Sequence, residues 1–250
     1  MATPATVIPN RPVPFNRRVW LALAAPPLIF LLVIVAASVY FGATLGADPD
    51  AIAAATQTAM PSLLVIVQVS LAGLVFWALR AEGLSWRDLG WRLPAGQTLA
   101  RELALGGGLG AALGIAYVFG LAPLMALLQR TLGDYVPPDQ LLPTLGSALP
   151  PFFVANVLLA PLVEEALYRG YALPRLAGRF GPRLGLMLAC VFFGLLHWTG
   201  GFWYIVLTGV VAGGLLGGLF TWRRTLLAPL AAHLALNIVE FVFIALASAG

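Results

Sequence analysis

Long uninterrupted apolar stretches are the feature that most limits what this chain can fold into. Hydrophobic residues make up 60% of its 250 residues and charged residues only 10%, whereas a soluble domain carries about a quarter charged residues. A helix needs roughly 20 apolar residues to cross a bilayer, and seven stretches approach or exceed that length. They are Trp20–Gly42, Met60–Leu79, Leu103–Leu128, Leu149–Tyr168, Leu184–Trp198, Phe202–Phe220 and Leu227–Ala247. The sequence therefore predicts an all-α, polytopic transmembrane helical bundle of about seven spans.

The ends of the chain suggest one membrane-embedded domain with a short tail. Residues 1–18 are polar and rich in proline, and we expect a disordered cytoplasmic tail there. Residues 19–250 are expected to form a single helical domain, with its motif-bearing core at 149–240. A cleaved signal peptide is the alternative for the first stretch, although its apolar run is longer than the usual core of 7–15 residues. The fifth stretch is short for a full crossing, so a partly re-entrant segment is the alternative there.

Arginine positions predict the orientation in the membrane. All fourteen basic residues are arginine, and all but Arg130 precede the first stretch or follow the second, fourth and sixth. Loops rich in basic residues remain in the cytoplasm. We therefore expect a cytoplasmic N-terminus and an external C-terminus. The arginines are scattered among several loops and form no basic cluster, so nucleic acid is not an expected partner.

Small residues at helical spacing indicate close packing between spans. Two rows recur every four residues: Gly106, Gly110 and Gly114, then Gly209, Gly213 and Gly217. Such rows let helix backbones approach each other in lipid. A phosphate-binding loop is not indicated, because no Lys, Ser or Thr accompanies these glycines in the required pattern. The sole cysteine, Cys190, excludes an intramolecular disulfide.

Two adjacent carboxylates end the fourth stretch. Glu165 and Arg169 are four residues apart and can pair on one face of a helix, near the membrane interface. Glu164 has no such partner nearby in the sequence. A carboxylate in an apolar setting has a raised pKa, which suits a general base that works near neutral pH. The alternative is a pair of helix-end acids that reach toward the interface.

Two later stretches supply histidines. His197 ends the fifth stretch, and the seventh carries His233 and Asn237 on one helical face, which Glu240 continues. A polar stripe within an apolar helix must face the bundle interior or a wet cavity. His197 could also be a core residue bonded to a carbonyl, and the stripe with His233 and Asn237 could serve packing alone. Together the three helices carry the groups that a hydrolytic centre requires.

The order and spacing of these groups resemble a known family. Glu164-Glu165-xxx-Arg169, Phe193-xxx-His197 and His233-xxx-Asn237 are similar to the three signature motifs of the CPBP family, which includes the CAAX prenyl endopeptidases and bacteriocin-processing or immunity proteins. The resemblance extends over about residues 149–239. Residues 86–91, Trp-Arg-Asp-Leu-Gly-Trp, are similar to a segment often found upstream in bacterial members.

The resemblance implies an intramembrane endopeptidase in a bacterial inner membrane. It implies that Glu164 activates water, that Glu165, Arg169 and Phe193 support the site, and that His197, His233 and Asn237 complete it. The implied partners are the lipid bilayer and a peptide or membrane-protein substrate, and the oligomeric state is left open. A non-catalytic immunity or assembly factor of the same fold, or a small-solute transporter that uses these acids as proton relays, are the alternatives.

The sequence allows two mechanisms. His197 and His233 with a glutamate could hold zinc, since catalytic zinc commonly takes three protein ligands. No His-Glu-x-x-His element is present, and Asn237 is a better amide donor to an oxyanion than a metal ligand. The residues favour a metal-independent mechanism slightly, so no cofactor is assigned and zinc stays the alternative.

Helix lengths raise a question of depth. At 1.5 Å per residue, Glu164 lies about 8 Å from Arg169, whereas His197 lies about 20 Å from Arg183. The two side chains meet only if the fifth helix is tilted or if Arg183 begins below the membrane surface. On this reading we expect the active cavity to open toward the cytoplasm.

Overall fold

A computed structural model describes residues 15–46, 48–136 and 148–247. Within those ranges the chain is helical and contains no strand. The long helices are α1 (Arg17–Leu45), α2 (Pro49–Arg80), α3 (Leu99–Leu132), α4 (Leu149–Phe180), α5 (Pro182–Leu196), α6 (Phe202–Arg223) and α7 (Leu227–Ala247). All except α5 are long and apolar enough to cross a membrane. The predicted all-α polytopic bundle is confirmed, and the fifth predicted span is a helix of 15 residues.

Polar caps and turn residues fix where the helices begin and end. The Asn16 side chain accepts a hydrogen bond from the Arg18 backbone N–H and caps α1, as Thr98 caps α3. Helix α1 thus starts two residues before the end of the predicted tail, and residues 1–14 lie outside the described ranges. Gly181, with φ of +84°, makes the tight turn between α4 and α5, because a side chain is disfavoured in that backbone region.

Helix α4 is longer than its apolar stretch. The prediction ended this span at Tyr168, but the helix continues to Phe180. The sequence beyond Tyr168 resembles a loop because it carries Arg169, Arg175 and Arg179. Two of these arginines are buried and paired with carboxylates: Arg169 with Glu165, and Arg175 with Glu82. These ion pairs offset the desolvation cost of burying the arginine charges. The buried part of the helix can therefore continue past Arg169.

The predicted glycine contacts are present on both rows. On α3, Gly106 and Gly110 face the backbone of α7 at Ala228 and Ala232. On α6, Gly209 and Gly213 face Cys190 on α5. These approaches bring α7 against α3, and α6 against α5, and so fix the positions of the helices that carry the histidines.

Adding one methyl group at Gly110 should separate α3 from α7. A Cβ there would overlap the carbonyl of Ala232, whereas a Cβ at Gly107 meets nothing within 4 Å. We expect Gly110→Ala to lower the free energy of unfolding by about 1–3 kcal/mol, the usual cost of overpacking. Gly107→Ala is the matched control and should be neutral or slightly stabilising. Denaturant titration in detergent measures both, and equal stability of the two variants would contradict the close contact.

Candidate active site

The two adjacent glutamates of α4 lie in the centre of the bundle. Glu164 is 4% exposed and Glu165 is fully buried. The helix widens to π-helical geometry over Glu165–Ala172, a distortion frequently found at functional sites. The pairing predicted from the sequence is present, because Arg169 Nη1 donates to Glu165 Oε1 at 2.9 Å.

Arg169 is buried within the bundle, which corrects the interfacial position expected from the sequence. Its side chain is 2% exposed. Its guanidinium lies 4.2 Å from the ring centroid of Phe193 and donates to the carbonyl of Gly213 at 3.4 Å. A charge at this depth needs all of these partners, so Arg169 links α4, α5 and α6 behind the carboxylates.

His233 stands between the two glutamates. Its Nδ1 lies 2.9 Å from Glu165 Oε1, and because the ionised carboxylate can only accept, Nδ1 carries the proton. Its Nε2 is 4.0 Å from Glu164 Oε2. Glu165, held by Arg169, thus orients the imidazole so that its second nitrogen points toward Glu164.

His197 approaches Glu164 from α5. Its Nδ1 donates to the carbonyl of Phe193 at 2.8 Å, which leaves Nε2 with a free lone pair in the neutral imidazole. The ring lies against Phe193, at 4.9 Å between centroids, and against Tyr204, at 5.7 Å. Phe193 therefore contacts both Arg169 and His197 and helps to fix their relative positions.

The length of α4 settles the question of depth. The helix continues for 16 residues beyond Glu164, about 24 Å, before it turns at Gly181. Helix α5 then returns over 15 residues, about 22 Å, and His197 follows its last residue. The two helices therefore cover similar lengths between Glu164 and His197, which lets the two side chains lie at the same depth of the bundle.

Glu164 has a partner that the sequence did not reveal. Gln68 of α2, 96 residues away, donates through Nε2 to Glu164 Oε1 at 3.0 Å. Glu164 Oε2 accepts no hydrogen bond from the described residues, although it is buried. The only sequence signal for Gln68 is an amide inside an apolar span, where polar side chains usually face the bundle interior.

Asn237 already makes one hydrogen bond within the bundle. Its Nδ2 donates to the carbonyl of Asn156 at 2.6 Å, which engages one of its two amide hydrogens. Asn156 lies in another π-helical stretch, Phe153–Leu159. Only the second hydrogen of Asn237 is available to a substrate.

A small cavity of about 70 Å³ connects these side chains. Its polar lining consists of Tyr117, Asn156, Glu164, His197, Tyr204, Thr208, His233, Asn237 and Glu240. Glu240 therefore shares the cavity with His233 and Asn237, as the polar stripe predicted. Glu165 and Arg169 lie behind this lining layer. The sequence analysis missed Gln68, Tyr117, Asn156, Tyr204 and Thr208.

The donors do not form an evident metal site. No three His, Cys, Asp or Glu side chains within the described ranges are grouped as a ligand set. Glu165 Oε1 is shared by Arg169 and His233, and His197 Nδ1 is engaged by a carbonyl. The nitrogens left for a ligand are Nε2 of His197 and Nε2 of His233.

A comparison with models of known protein families identifies the segment that carries the three motifs. Residues 146–239 match the family model described as type II CAAX prenyl endopeptidase Rce1-like. This segment is an Rce1-like domain. It contains Glu164, Glu165, Arg169 and both histidines, so the family resemblance read from the three motifs is confirmed. No curated protein and no solved structure matches the chain.

The segment that is similar to the endopeptidase family covers 94 of the 250 residues. Its helices α4 to α7 carry every motif residue, while α2 adds Gln68 and α3 packs its glycines against α7. Six helices of the described residues are long and apolar enough to cross a membrane, and the chain is an integral membrane protein.

Proposed function

We propose that this protein is an intramembrane endopeptidase in which Glu164 activates a water molecule. The observation that carries the proposal is the free Oε2 of Glu164. This oxygen is buried, accepts no hydrogen bond from the described residues and lies 4.0 Å from His233 Nε2, and Glu164 is one of the residues that line the cavity. A carboxylate with one fixed oxygen and one free oxygen is arranged to accept a proton from water.

The proposed reaction uses the side chains around the cavity. Glu164 Oε2 takes a proton from water, and the water oxygen attacks the carbonyl carbon of the scissile peptide bond. The carbonyl electron pair moves to its oxygen, where the second Nδ2 hydrogen of Asn237 and, when His233 is protonated, its Nε2–H stabilise the charge. Glu164 then returns the proton to the leaving nitrogen as the C–N bond breaks.

The remaining residues position these groups. Gln68 fixes Glu164 Oε1, and Arg169 fixes Glu165, which in turn orients His233. Nε2 of His197 provides an acceptor for the second proton of the attacking water. We infer a peptide or membrane-protein segment as substrate and a bacterial inner membrane as the location.

Comparing cells that carry wild-type protein with cells that carry Glu164→Gln tests the proposed function. Membrane and secreted peptides are sequenced by mass spectrometry at equal protein abundance. We expect at least one cleavage product that is present only with the wild-type protein. Identical peptides together with an unchanged cellular phenotype would favour the non-catalytic immunity or assembly factor, and proton-dependent solute uptake would favour the transporter.

Zinc removal tests the metal-independent form of the mechanism. Glu165 Oε1 is engaged by Arg169 and His233, and each histidine offers a metal only its Nε2. We therefore expect purified protein to contain well under one equivalent of zinc and chelation to leave peptide cleavage intact. Zinc at one equivalent, lost with activity in His197→Ala and His233→Ala and restored to the chelated enzyme by added zinc, would overturn this expectation.

A further inference from the structure

Glu240 is the side chain of the polar stripe on α7 that the proposed reaction does not use. It follows His233 by seven residues, which is two turns of the helix and about 10 Å along its axis. It is half-buried and lines the catalytic cavity together with His233 and Asn237. A carboxylate within a membrane-spanning helix is energetically costly, so its presence there indicates a function.

Three other acids of the bundle each have a cationic partner within it. The pairs are Glu82 with Arg175, Glu102 with Arg223 and Glu165 with Arg169. Glu240 makes no ion pair and accepts no hydrogen bond within residues 15–46, 48–136 and 148–247. A charge inside a protein is costly unless it is paired. The contrast with the other acids therefore indicates that Glu240 pairs with a group from outside the chain.

The basic side chains near the cavity are engaged elsewhere. His233 and Arg169 both bind Glu165, and Nδ1 of His197 donates to a backbone carbonyl. No arginine lines the part of this cavity that the described residues form. A cation that pairs with Glu240 therefore comes from a bound molecule.

The other side chains of the cavity suit a positively charged group. Tyr117 of α3 and Tyr204 of α6 line it with their rings edge to face, at 6.3 Å between centroids. Aromatic faces attract cations. Thr208, one turn after Tyr204, adds a buried hydroxyl oxygen that has no hydrogen-bond partner among the described residues. An ammonium group needs several acceptors for its N–H donors, and Glu240 and Thr208 both supply them.

We propose that this end of the catalytic cavity is a binding subsite for a lysine side chain of the substrate, with its ammonium group paired with Glu240 beside Tyr117 and Tyr204. The cavity has a volume of only about 70 Å³, which favours the compact ammonium of lysine over the wider planar guanidinium of arginine. The cleavage of such a substrate rests on the proposed function, whereas the binding of its lysine does not.

The position of Glu240 also predicts where the lysine lies in the substrate. Glu240 is about 10 Å along α7 from His233, the residue beside the proposed nucleophile. An extended peptide rises about 3.3 Å per residue, so the same distance corresponds to about three residues. We therefore expect the lysine within about three residues of the scissile bond.

Peptide binding to the Glu164→Gln variant tests the subsite without any need for cleavage. The probes are the peptide acetyl-Leu-Ala-Lys-Ala-Leu-amide and the same peptide with norleucine in place of lysine, which keeps the apolar stem and removes the charge. Calorimetric titration in detergent measures both dissociation constants. We expect the lysine peptide to bind about ten- to a hundredfold more tightly, the range that a hydrogen bond to a charged group contributes.

Adding Glu240→Gln to the same background should lower this ratio to about one, because glutamine has the same shape without the charge. Asp50→Asn is the matched control, since it removes an exposed acid at the start of α2 and should keep the ratio. Glu240→Asp keeps the charge and should retain part of the preference, which keeps the test decisive if Glu240→Gln does not fold. Equal binding of the two peptides, or a ratio that Glu240→Gln leaves unchanged, would overturn the subsite.

Sequencing the products of the wild-type protein separates this proposal from the proposed function. We expect cleaved bonds to have a lysine within about three residues. If the lysine peptide is preferred but the wild-type protein cleaves nothing, the proposed function fails and the subsite stands. Cleavage at bonds with no lysine nearby, together with equal binding of the two peptides, would overturn the subsite and leave the proposed function in place.

Discussion

Replacing Glu164 by glutamine lowers the rate of peptide cleavage by about 10²- to 10⁴-fold, the range that general acid–base catalysis contributes. Glutamine has the same shape, and its Oε1 can still accept from Gln68, which donates to Glu164 at 3.0 Å. An amide in place of the free Oε2 cannot take a proton from water. The variant should therefore fold normally and lose only the chemical step. Initial rates of the purified protein in liposomes measure the effect, with thermal unfolding recorded in parallel.

Two comparisons isolate the role of this carboxylate. Asp50→Asn removes an exposed acid from the first turn of α2 and should leave the rate unchanged. Gln68→Leu should lower the rate less than Glu164→Gln, because it frees the carboxylate to rotate but leaves it able to accept a proton. A wild-type rate in Glu164→Gln would remove this residue from the mechanism, and the proposed glutamate-activated water with it.

Arg169→Ala should destabilise the protein by about 3–5 kcal/mol, the cost of leaving one partner of a buried ion pair uncompensated. Glu165 is fully buried, and the variant leaves it with His233 alone. The guanidinium also gives up its contacts with Phe193 and the Gly213 carbonyl. Arg169→Lys should restore only part of the stability, because an ammonium cannot make all three contacts at once. Unfolding by denaturant in detergent measures the loss.

Controls separate stability from catalysis at this pair. Arg183→Ala removes an exposed arginine at the start of α5 and should change stability by less than about 0.5 kcal/mol. The double variant Glu165→Gln/Arg169→Met removes both charges and should regain much of the lost stability. It should stay inactive, since His233 then has no carboxylate at Nδ1. Full activity in the double variant would show that the pair serves folding alone.

Contacts within one helix were open to prediction from the sequence. The pairing of Glu165 with Arg169 and the shared face of His233, Asn237 and Glu240 depend only on helical geometry, which fixes which side chains are neighbours. The glycine rows predicted close packing for the same reason, since a row of small residues marks one face. These features needed no knowledge of how the helices are arranged.

Contacts between distant helices depended on the arrangement itself. Gln68 meets Glu164 across 96 residues, and Asn237 meets Asn156 across 81, and no local spacing encodes either pair. The end of α4 predicted from hydropathy was also wrong. Hydropathy cannot distinguish a buried arginine that pairs with a distant carboxylate, as Arg175 does with Glu82, from an exposed arginine in a loop.

The sequence by itself determined a polytopic helical bundle and the three motifs on α4, α5 and α7, because long apolar runs and helical periodicity are local properties. Only the tertiary structure decided that His197 reaches the depth of Glu164 and that Gln68 holds one oxygen of that carboxylate. Each of these depends on the length of α4 and on its packing against helices far away in the chain. Buried charge pairs made that length possible, and the energy of such pairs is set by partners that only the folded bundle brings together.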